Sequence, residues 1–215
     1  MAITLDAATV CVDTGPESFF SFTHTTAALA KGYALVCIWL NTKTFTISNV
    51  TFGGSACARI GSAAEGVNAK VEVWGLKNPP NNGSKTVAGT FSNSDYFRVA
   101  AVTFDGVDQT TPVSGETTVI DDDGGGTTES FSVPVTSATG DIAIATVGVA
   151  SGRVVTLDQT RLYPVVSTNY PLHGEYMNGS SSPVTLTGTW TGHVAYFAHG
   201  FSLKADAPIV GYMWL

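Results

Sequence analysis

Four histidines are the residues of this sequence best suited to proton transfer or metal binding. They are His24, His173, His193 and His199. His193 and His199 share one face of the last predicted strand, but six residues at about 3.3 Å each place them roughly 20 Å apart, too far to share a metal ion. His173 and Glu175 are spaced i, i+2, yet two ligands without a third leave a metal site incomplete. We therefore expect His193 and His199 at surface or rim positions.

Acidic residues cluster at two places where oxygen ligands could bind calcium. Asp121, Asp122 and Asp123 form the first cluster. It lacks the EF-hand spacing, so a solvated acidic turn is favoured. Asp105 and Asp108 belong to a segment better placed to form an ordered loop, in which their side chains are expected to cap backbone amides. A calcium ion bound to these aspartates stays open as the alternative.

The sequence offers no residue pattern for hydrolysis. A glycosidase needs two carboxyl groups about 5–10 Å apart, whereas Glu72, within a convincing strand, has no acidic partner at i+2 or i+4. There is no Gly-x-Ser-x-Gly elbow and no phosphate-binding loop followed by a helix. We therefore predict a protein that is not an enzyme, with no catalytic residue, no metal and no cofactor.

Two sets of apolar and aromatic residues could instead bind a partner. Tyr163, Tyr170 and Tyr176 flank a proline-containing loop and are expected to be exposed. Packing in a loop or core is favoured for the aromatic residues as a set, and a glycan-binding surface is the alternative. The C-terminal tail, 205–215, either folds back onto its own domain or docks on another chain. Its candidate interface residues are Ile209, Tyr212, Met213, Trp214 and Leu215.

Composition narrows the class of protein further. Of 215 residues, 44% are hydrophobic and 13% are charged, against a usual charged share of about 25%. Global disorder is excluded by this balance. The net charge of −7 argues against partners such as nucleic acid or an anionic membrane. No apolar run reaches the roughly 20 residues of a membrane-spanning helix.

The beginning of the chain and its cysteines bear on where it is made. The first residues lack the basic and apolar regions of a signal peptide, so we expect a complete chain that starts at its Met and is synthesised in a cytoplasm. The odd number of cysteines favours neither a disulfide framework nor a zinc site. They are Cys11, Cys37 and Cys57.

The elements that carry these residues are strands. Thr, Val, Gly and Ser dominate, several segments alternate apolar and polar residues, and turn signals recur every 8–15 residues or so. We predict an all-β fold, a two-sheet antiparallel β-sandwich that is jelly-roll-like. Residues 1–215 are expected to form one domain whose halves are not obvious repeats. Its N-terminal strand, 1–12, and the tail, 205–215, are its possible docking elements.

Five segments together resemble a family of all-β modules, about 200 residues long, found in tailed-bacteriophage structural proteins and bacterial surface proteins. The most specific are Asn78-Pro79-Pro80 and Gly106-Val107-Asp108-Gln109-Thr110-Thr111-Pro112; the full set is 22–26, 34–38, 47–54, 71–80 and 102–112. The resemblance covers about residues 21–203 and departs at both ends. It implies a jelly-roll-like sandwich with a structural or adhesive role and no catalytic residues.

Three functions follow as hypotheses. The first is a structural protein of a tailed-phage virion, made in the host cytoplasm: a capsid decoration (cement) protein or another exposed appendage of head or tail. Its partners would be other virion proteins and further copies of itself, with a trimer as the expected homo-oligomer. The second is a carbohydrate-binding or adhesive module on a bacterial or virion surface; both can hold together if a decoration protein binds host surface glycans. The third is a hydrolase with a dispersed site.

Overall fold

The structure is a computed structural model that describes residues 2–12, 15–66, 68–121, 130–149, 153, 155–164, 171–181, 183–192 and 194–206. Within these ranges the chain forms strands and turns and no helix. All paired strands are antiparallel, so the predicted all-β, antiparallel β-sandwich class is confirmed.

The first half of the chain forms two sheets. Its strands are β1 (Thr4–Val12), β2 (Glu17–Thr26), β3 (Tyr33–Leu40), β4 (Ile47–Phe52), β5 (Ser55–Ala56), β6 (Ala58–Glu65), β7 (Lys70–Lys77), β8 (Gly83–Asp95) and β9 (Phe97–Asp105). The first inner sheet has the order β1-β9-β3-β7-β6, and the first outer sheet has the order β2-β8-β4-β5.

The second half repeats this topology. Its strands are β10 (Val113–Asp121), β11 (Ser130–Val135), β12 (Ile142–Val149), β13 (Thr156–Leu157), β14 (Thr160–Arg161), β15 (Leu172–Asn178), β16 (Val184–Thr189) and β17 (Tyr196–Leu203). The second inner sheet has the order β10-β17-β12-β15-β14, and the second outer sheet has the order β11-β16-β13. Replacing each first-half strand except β5 by its counterpart in chain order converts one pair of sheets into the other, since β5 has no counterpart among the described strands of the second half.

Strands that alternate between two facing sheets in this order form a jelly roll. The chain is therefore two jelly rolls in tandem, although its sequence shows no obvious repeat. Four sheets stand where the sequence predicted two, because each half closes a sandwich of its own. Both edge strands, β1 and β10, even carry a register shift near their starts, between Leu5 and Ala7 and between Ser114 and Thr117.

The two jelly rolls pack through their inner sheets, which gives four layers and three apolar cores. Strand β3 is buried along its whole length. Leu35, Cys37 and Trp39 join the core shared with the second inner sheet, whereas Val36 and Ile38 join the core beneath the first outer sheet. The uninterrupted apolar run of β3 thus reflects burial on both of its faces.

An aromatic cluster packs inside the first jelly roll. The ring centroid of Phe20 lies 5.8 Å from that of Phe91 and 6.1 Å from that of Phe97, and Phe91 and Phe97 are 5.2 Å apart. Phe20 also covers its cross-strand partner Gly89, where a Cβ atom would lie 2.5 Å from the ring. The glycine thus makes room for the phenylalanine.

The second jelly roll repeats this cluster at equivalent positions. Phe131 lies 6.3 Å from Trp190 and 6.3 Å from Tyr196, and Trp190 and Tyr196 are 5.5 Å apart. Phe131 covers its own cross-strand partner, Gly188, where a Cβ atom would lie 2.5 Å from the ring. The duplication therefore extends from topology to side-chain packing.

Equivalent positions of β3 and β12 meet across the shared core. Cys37 and Thr146 are both fifth in their strands, and the Thr146 hydroxyl donates to Cys37 Sγ over 3.3 Å. Trp39 and Gly148 are both seventh, and a Cβ atom on Gly148 would lie 2.5 Å from the Trp39 ring. Each contact joins residues that hold the same position in their strands, so β3 and β12 run in the same direction. Equivalent ends of the two jelly rolls therefore point the same way.

Candidate functional site

The segment 106–112, which links the two jelly rolls, meets the Asn-Pro-Pro turn. The backbone N–H of Asn78 donates to Gln109 Oε1 over 3.1 Å. Gln109 Nε2 donates to the carbonyls of Gly32 and Val107 over 3.0 and 2.8 Å. One amide side chain thereby ties the linker to two loops of the first jelly roll, so the two most specific sequence motifs are parts of one structural joint.

The linker aspartates cap backbone amides, as predicted. Asp105 Oδ1 accepts from the N–H groups of Lys31 and Gly106 over 2.7 and 2.9 Å. Asp108 Oδ1 accepts from Thr110 and Thr111 over 2.6 and 3.3 Å, and the Thr110 bond is the main cause that lowers the pKa of Asp108. These carboxylates are thus occupied by the turn itself.

Among the described residues, no group of three or more His, Cys, Asp or Glu side chains is placed to hold a metal ion. Of the acidic run considered for calcium, Asp121 ends β10, while Asp122 and Asp123 lie outside the described residues.

The expectation of a surface or rim position is wrong for His199, which is buried, while His193 lies outside the described residues; His24 and His173 are buried as well. His24 is enclosed between the hydroxyls of Thr9 and Thr103, 2.9 Å from Nδ1 and 3.0 Å from Nε2. Burial lowers its pKa and outweighs the opposing effect of Asp6. His24 is therefore a buried side chain that is neutral and hydrogen-bonded.

His199 lies where the two jelly rolls meet. Its Nδ1–H donates to the Ser62 carbonyl over 3.0 Å, and Nε2 is buried without a partner in the described chain. Burial is the main cause that lowers its pKa. With Ser62 and Glu116 it borders a cleft of about 160 Å³. Both ring nitrogens of His199 are thus bonded or enclosed, whereas Glu116 is exposed at the cleft.

Buried charge in the first jelly roll is paired. Glu72 Oε1 lies 2.8 Å from Lys70 Nζ and 3.9 Å from Arg59 Nη1. Lys70 and Glu72 are only 4% and 2% exposed. The pairing compensates the cost of burying both charges, which makes Glu72 a structural residue and removes it as a catalytic candidate.

The equivalent place in the second jelly roll holds an unpaired set. His173 and Glu175 are 1% and 0% exposed, and their ring nitrogens and carboxylate oxygens have no hydrogen-bond partner among the described residues. Burial raises the pKa of Glu175 to about 8, helped by Asp158 and opposed by the nearby backbone of Gln159. Burial and Arg161 lower the pKa of His173 to about 4. Both side chains are thus held in their neutral forms at neutral pH.

The three tyrosines predicted to bind a glycan do not share one environment. The expected exposure of Tyr163 is wrong: it is 2% exposed, and its hydroxyl donates to the His173 carbonyl over 2.8 Å. Tyr170 lies outside the described residues. Tyr176 is half-buried on β15 and borders an open pocket of about 690 Å³. The pocket is lined by Asp158, Gln159, Thr160, Tyr176, Met177 and Asn178.

This pocket lies at strands β14 and β15, at one edge of the second inner sheet. Strand β6 pairs with β7 from Ala58 to Glu65, whereas its counterpart β14 pairs with β15 only through Thr160 and Arg161. Both edge strands begin at equivalent places, so the shorter β14 fails to reach the start of β15, whereas the pocket lies at the other end of β15, beside Thr160 and Tyr176. At the position of Tyr176 the first jelly roll has Gly75, since the two residues pair with equivalent positions of β12 and β3.

Four large apolar side chains of the described chain are exposed: Val12, Phe19, Tyr96 and Ile120. The tail residues predicted to form an interface, Ile209, Tyr212, Met213, Trp214 and Leu215, lie outside the described residues. In the part of the chain that the structure describes, no helix is long and apolar enough to cross a membrane. No family model, curated protein or solved structure matches this chain.

Proposed function

We propose that this chain is a non-enzymatic structural protein of a tailed-phage virion, a capsid decoration protein or another exposed appendage of the head or tail. The observation that carries the proposal is the four-layer block made by two jelly rolls packed through their inner sheets. Such a block presents two broad outer sheets on a doubly buried core, which suits repeated lateral contacts in a particle. Jelly rolls recur in viral capsid proteins, and the resemblance of the segments around Asn78 and Gln109 supports the same assignment.

The placement of the ionisable residues supports a role without catalysis. A general acid or base must reach its substrate, but His24 and His199 are bonded or enclosed between sheets. Glu72 is paired with Lys70 in the interior. These groups stabilise or fill the fold, and the linker aspartates cap turns.

The test is a density-gradient separation of particles from a lysate of the producing cells, followed by detection of this chain. We expect it to sediment with full particles at a fixed ratio to the major capsid protein across independent preparations. A bulk soluble protein of similar mass, followed in the same gradient, controls for trapping. Recovery of the chain only from the soluble fractions would contradict the proposal.

The pocket beside Tyr176 favours carbohydrate binding as a second candidate function. Aromatic rings offer a face for sugar C–H groups, and carboxylate, amide and hydroxyl groups orient sugar hydroxyls. The pocket combines Tyr176 with Asp158, Thr160 and the exposed Asn178. The first jelly roll has Gly75 at the position of Tyr176, so the aromatic ring is a feature of the second jelly roll alone.

A glycan array with the full chain tests this second function. We expect binding to a restricted set of saccharides, weakened at least tenfold by Tyr176→Ala. Tyr96→Ala is the matched control, because Tyr96 is also a partly exposed tyrosine and lies outside the pocket. Binding that survives Tyr176→Ala, or no binding to any glycan, would count against a saccharide site here.

A further inference from the structure

The exposed large apolar side chains of the described chain are gathered at one end of the molecule, which we call the apolar pole. They are Val12, Phe19, Tyr96 and Ile120, each more than 40% exposed. In the first jelly roll, Val12 ends β1 and pairs with Arg98. Tyr96, two residues before Arg98, lies in the turn between β8 and β9. Asp95, which precedes Tyr96, pairs with Glu17 near Phe19.

Ile120 belongs to the same pole on the second jelly roll. It pairs with Phe197, the second residue of β17, just as Val12 pairs with Arg98, the second residue of β9. Ile120 and Val12 are therefore equivalent. Because β3 and β12 run in the same direction, equivalent ends of the two jelly rolls lie at the same end of the block.

The chain ends lie at the opposite end, which we call the linker pole. The carbonyl oxygen of Ala2 approaches Gly106 so closely that a Cβ atom there would lie 2.5 Å from it. The N–H of Asp206, the last described residue, donates to the Gly106 carbonyl over 2.9 Å. The segment 207–215 thus leaves the block at the pole farthest from the exposed apolar residues.

The composition of 207–215 fits an apolar surface. The segment has no charged side chain, and it contains Ile209, Tyr212, Met213, Trp214 and Leu215. Large aromatic residues and Met are enriched at the anchors of protein interfaces. The chain therefore has an apolar segment that follows Asp206 of the linker pole in sequence, and exposed apolar residues at the opposite pole.

Length decides which copy can supply the segment. The eight residues of β3 span about 26 Å at 3.3 Å each. Nine fully extended residues reach at most about 32 Å. A tail that crossed its own block would be used up in reaching the apolar pole, with almost no residue left to bury there. The tail of a neighbouring copy meets that pole without crossing the block.

We propose that residues 207–215 of one copy dock on the apolar pole of a second copy. The two surfaces are different, so the contact is heterologous and joins copies head to tail. A head-to-tail contact closes into a ring when its rotation allows, and a three-membered ring is the expected trimer. The proposal concerns the chain by itself and does not depend on a virion role.

The first experiment measures the mass of the purified full chain by size-exclusion chromatography with light scattering over a range of concentrations. We expect an oligomer of the full chain and monomers of two variants. One variant lacks 207–215, and the other carries Phe19→Asp and Ile120→Asp at the apolar pole. Thr185→Asp is the control, since Thr185 is an exposed strand residue of the second outer sheet. It should keep the wild-type mass.

Mixing the two monomeric variants tests directly whether the tail of one copy binds the apolar pole of another. The truncated copy keeps a pole but has no tail, and the substituted copy keeps a tail but has no functional pole, so together they should form a one-to-one dimer and nothing larger. Thermal unfolding of each variant checks that it is folded. If the pole variant does not fold, a peptide of residues 207–215 added to the full chain should dissociate the oligomer instead.

Three results would overturn the proposal. A full chain that stays monomeric at every concentration would show that no such contact forms. A truncated chain that keeps the wild-type mass would show that the tail is not the occupant. A folded pole variant that keeps the wild-type mass would show that the tail docks elsewhere. Each of these results is independent of whether the chain sediments with particles.

Discussion

Cys37 and Thr146 occupy the same position in two copies of one fold and contact each other, with the threonine hydroxyl 3.3 Å from the cysteine sulfur. The contact lies in the core shared by the inner sheets, where Cys37 is fully buried. The two jelly rolls are thus joined near the middle of their equivalent strands β3 and β12.

Thiol labelling should distinguish the cysteines. Burial raises the pKa values of Cys37 and Cys57 to about 12, so that only about one thiol in 10⁴ is ionised at pH 8, and the thiolate is the reactive form. We expect iodoacetamide to label half-buried Cys11 first in the native chain and the other two only in denaturant. Mass spectrometry of the peptides reads out each site. Native labelling of Cys37 would mean that the shared core opens.

The two glycines under phenylalanine rings should be equally intolerant of a side chain. Gly89→Ala and Gly188→Ala each place a Cβ atom 2.5 Å from a ring carbon, of Phe20 and of Phe131. Such overpacking costs about 1–3 kcal/mol. Gly15→Ala is the control, because nothing lies within 4 Å of its new Cβ atom. Urea unfolding measures the free energy of unfolding of the three variants. If Gly188→Ala were as stable as the wild type, the packing of the two jelly rolls would not be equivalent.

Removing the Gln109 side chain should loosen the linker. Gln109→Ala loses two donated bonds and the bond accepted from Asn78. We expect about 1–3 kcal/mol of destabilisation in urea at pH 7. Thr118→Ala, at an exposed strand position, should stay within about 0.5 kcal/mol of the wild type. A Gln109→Ala variant as stable as this control would show that the joint contributes little.

Glu175 should make stability depend on pH. Its pKa is raised from 4.5 to about 8 in the folded chain, so its contribution is fully present below pH 4.5 and is lost as the pH rises through 8. Glu175→Gln keeps a neutral side chain at every pH. The variant should match the wild type near pH 4.5 and exceed its free energy of unfolding by roughly 4 kcal/mol at pH 8, because the wild type loses about 1.4 kcal/mol per pH unit over most of this range. If the difference in free energy of unfolding between the variant and the wild type does not grow with pH, Glu175 is ionised in the native state.

The pattern of apolar and polar residues predicted which segments form strands better than it predicted which elements pack against them. The apolar run from Tyr33 identifies a doubly buried strand directly. The alternation of Val71, Glu72 and Val73 also identifies a strand, but it indicates a half-buried one, whereas Glu72 is buried. The same patterning could not reveal that Tyr163 is buried. Its hydroxyl bonds to His173 within the second inner sheet, whose inward face is covered by the other jelly roll. Burial of that kind depends on contacts between residues about 100 positions apart.

The duplication left a short signal in the sequence. Gly89-Thr90-Phe91 and Gly188-Thr189-Trp190 are alike, and six residues after each aromatic residue comes another, Phe97 and Tyr196. The match is brief because apolar residues substitute for one another in a core as long as the pattern and volume are kept. The unpaired burial of His173 and Glu175 had no comparable signal, since i, i+2 spacing fits an exposed strand face equally well.

Every strand pair of the described residues closes within its own jelly roll. During synthesis, the first jelly roll can therefore complete its hydrogen-bonded ladders before the second has left the ribosome. At that moment the face of Leu35, Cys37 and Trp39 has no cover, because its cover has yet to be translated. The nascent half is then an aggregation hazard. We consequently expect the yield of this protein to depend on two factors, the speed of translation through 113–205 and chaperones that bind exposed apolar surface. Both should matter more than the free energy of unfolding of the finished protein.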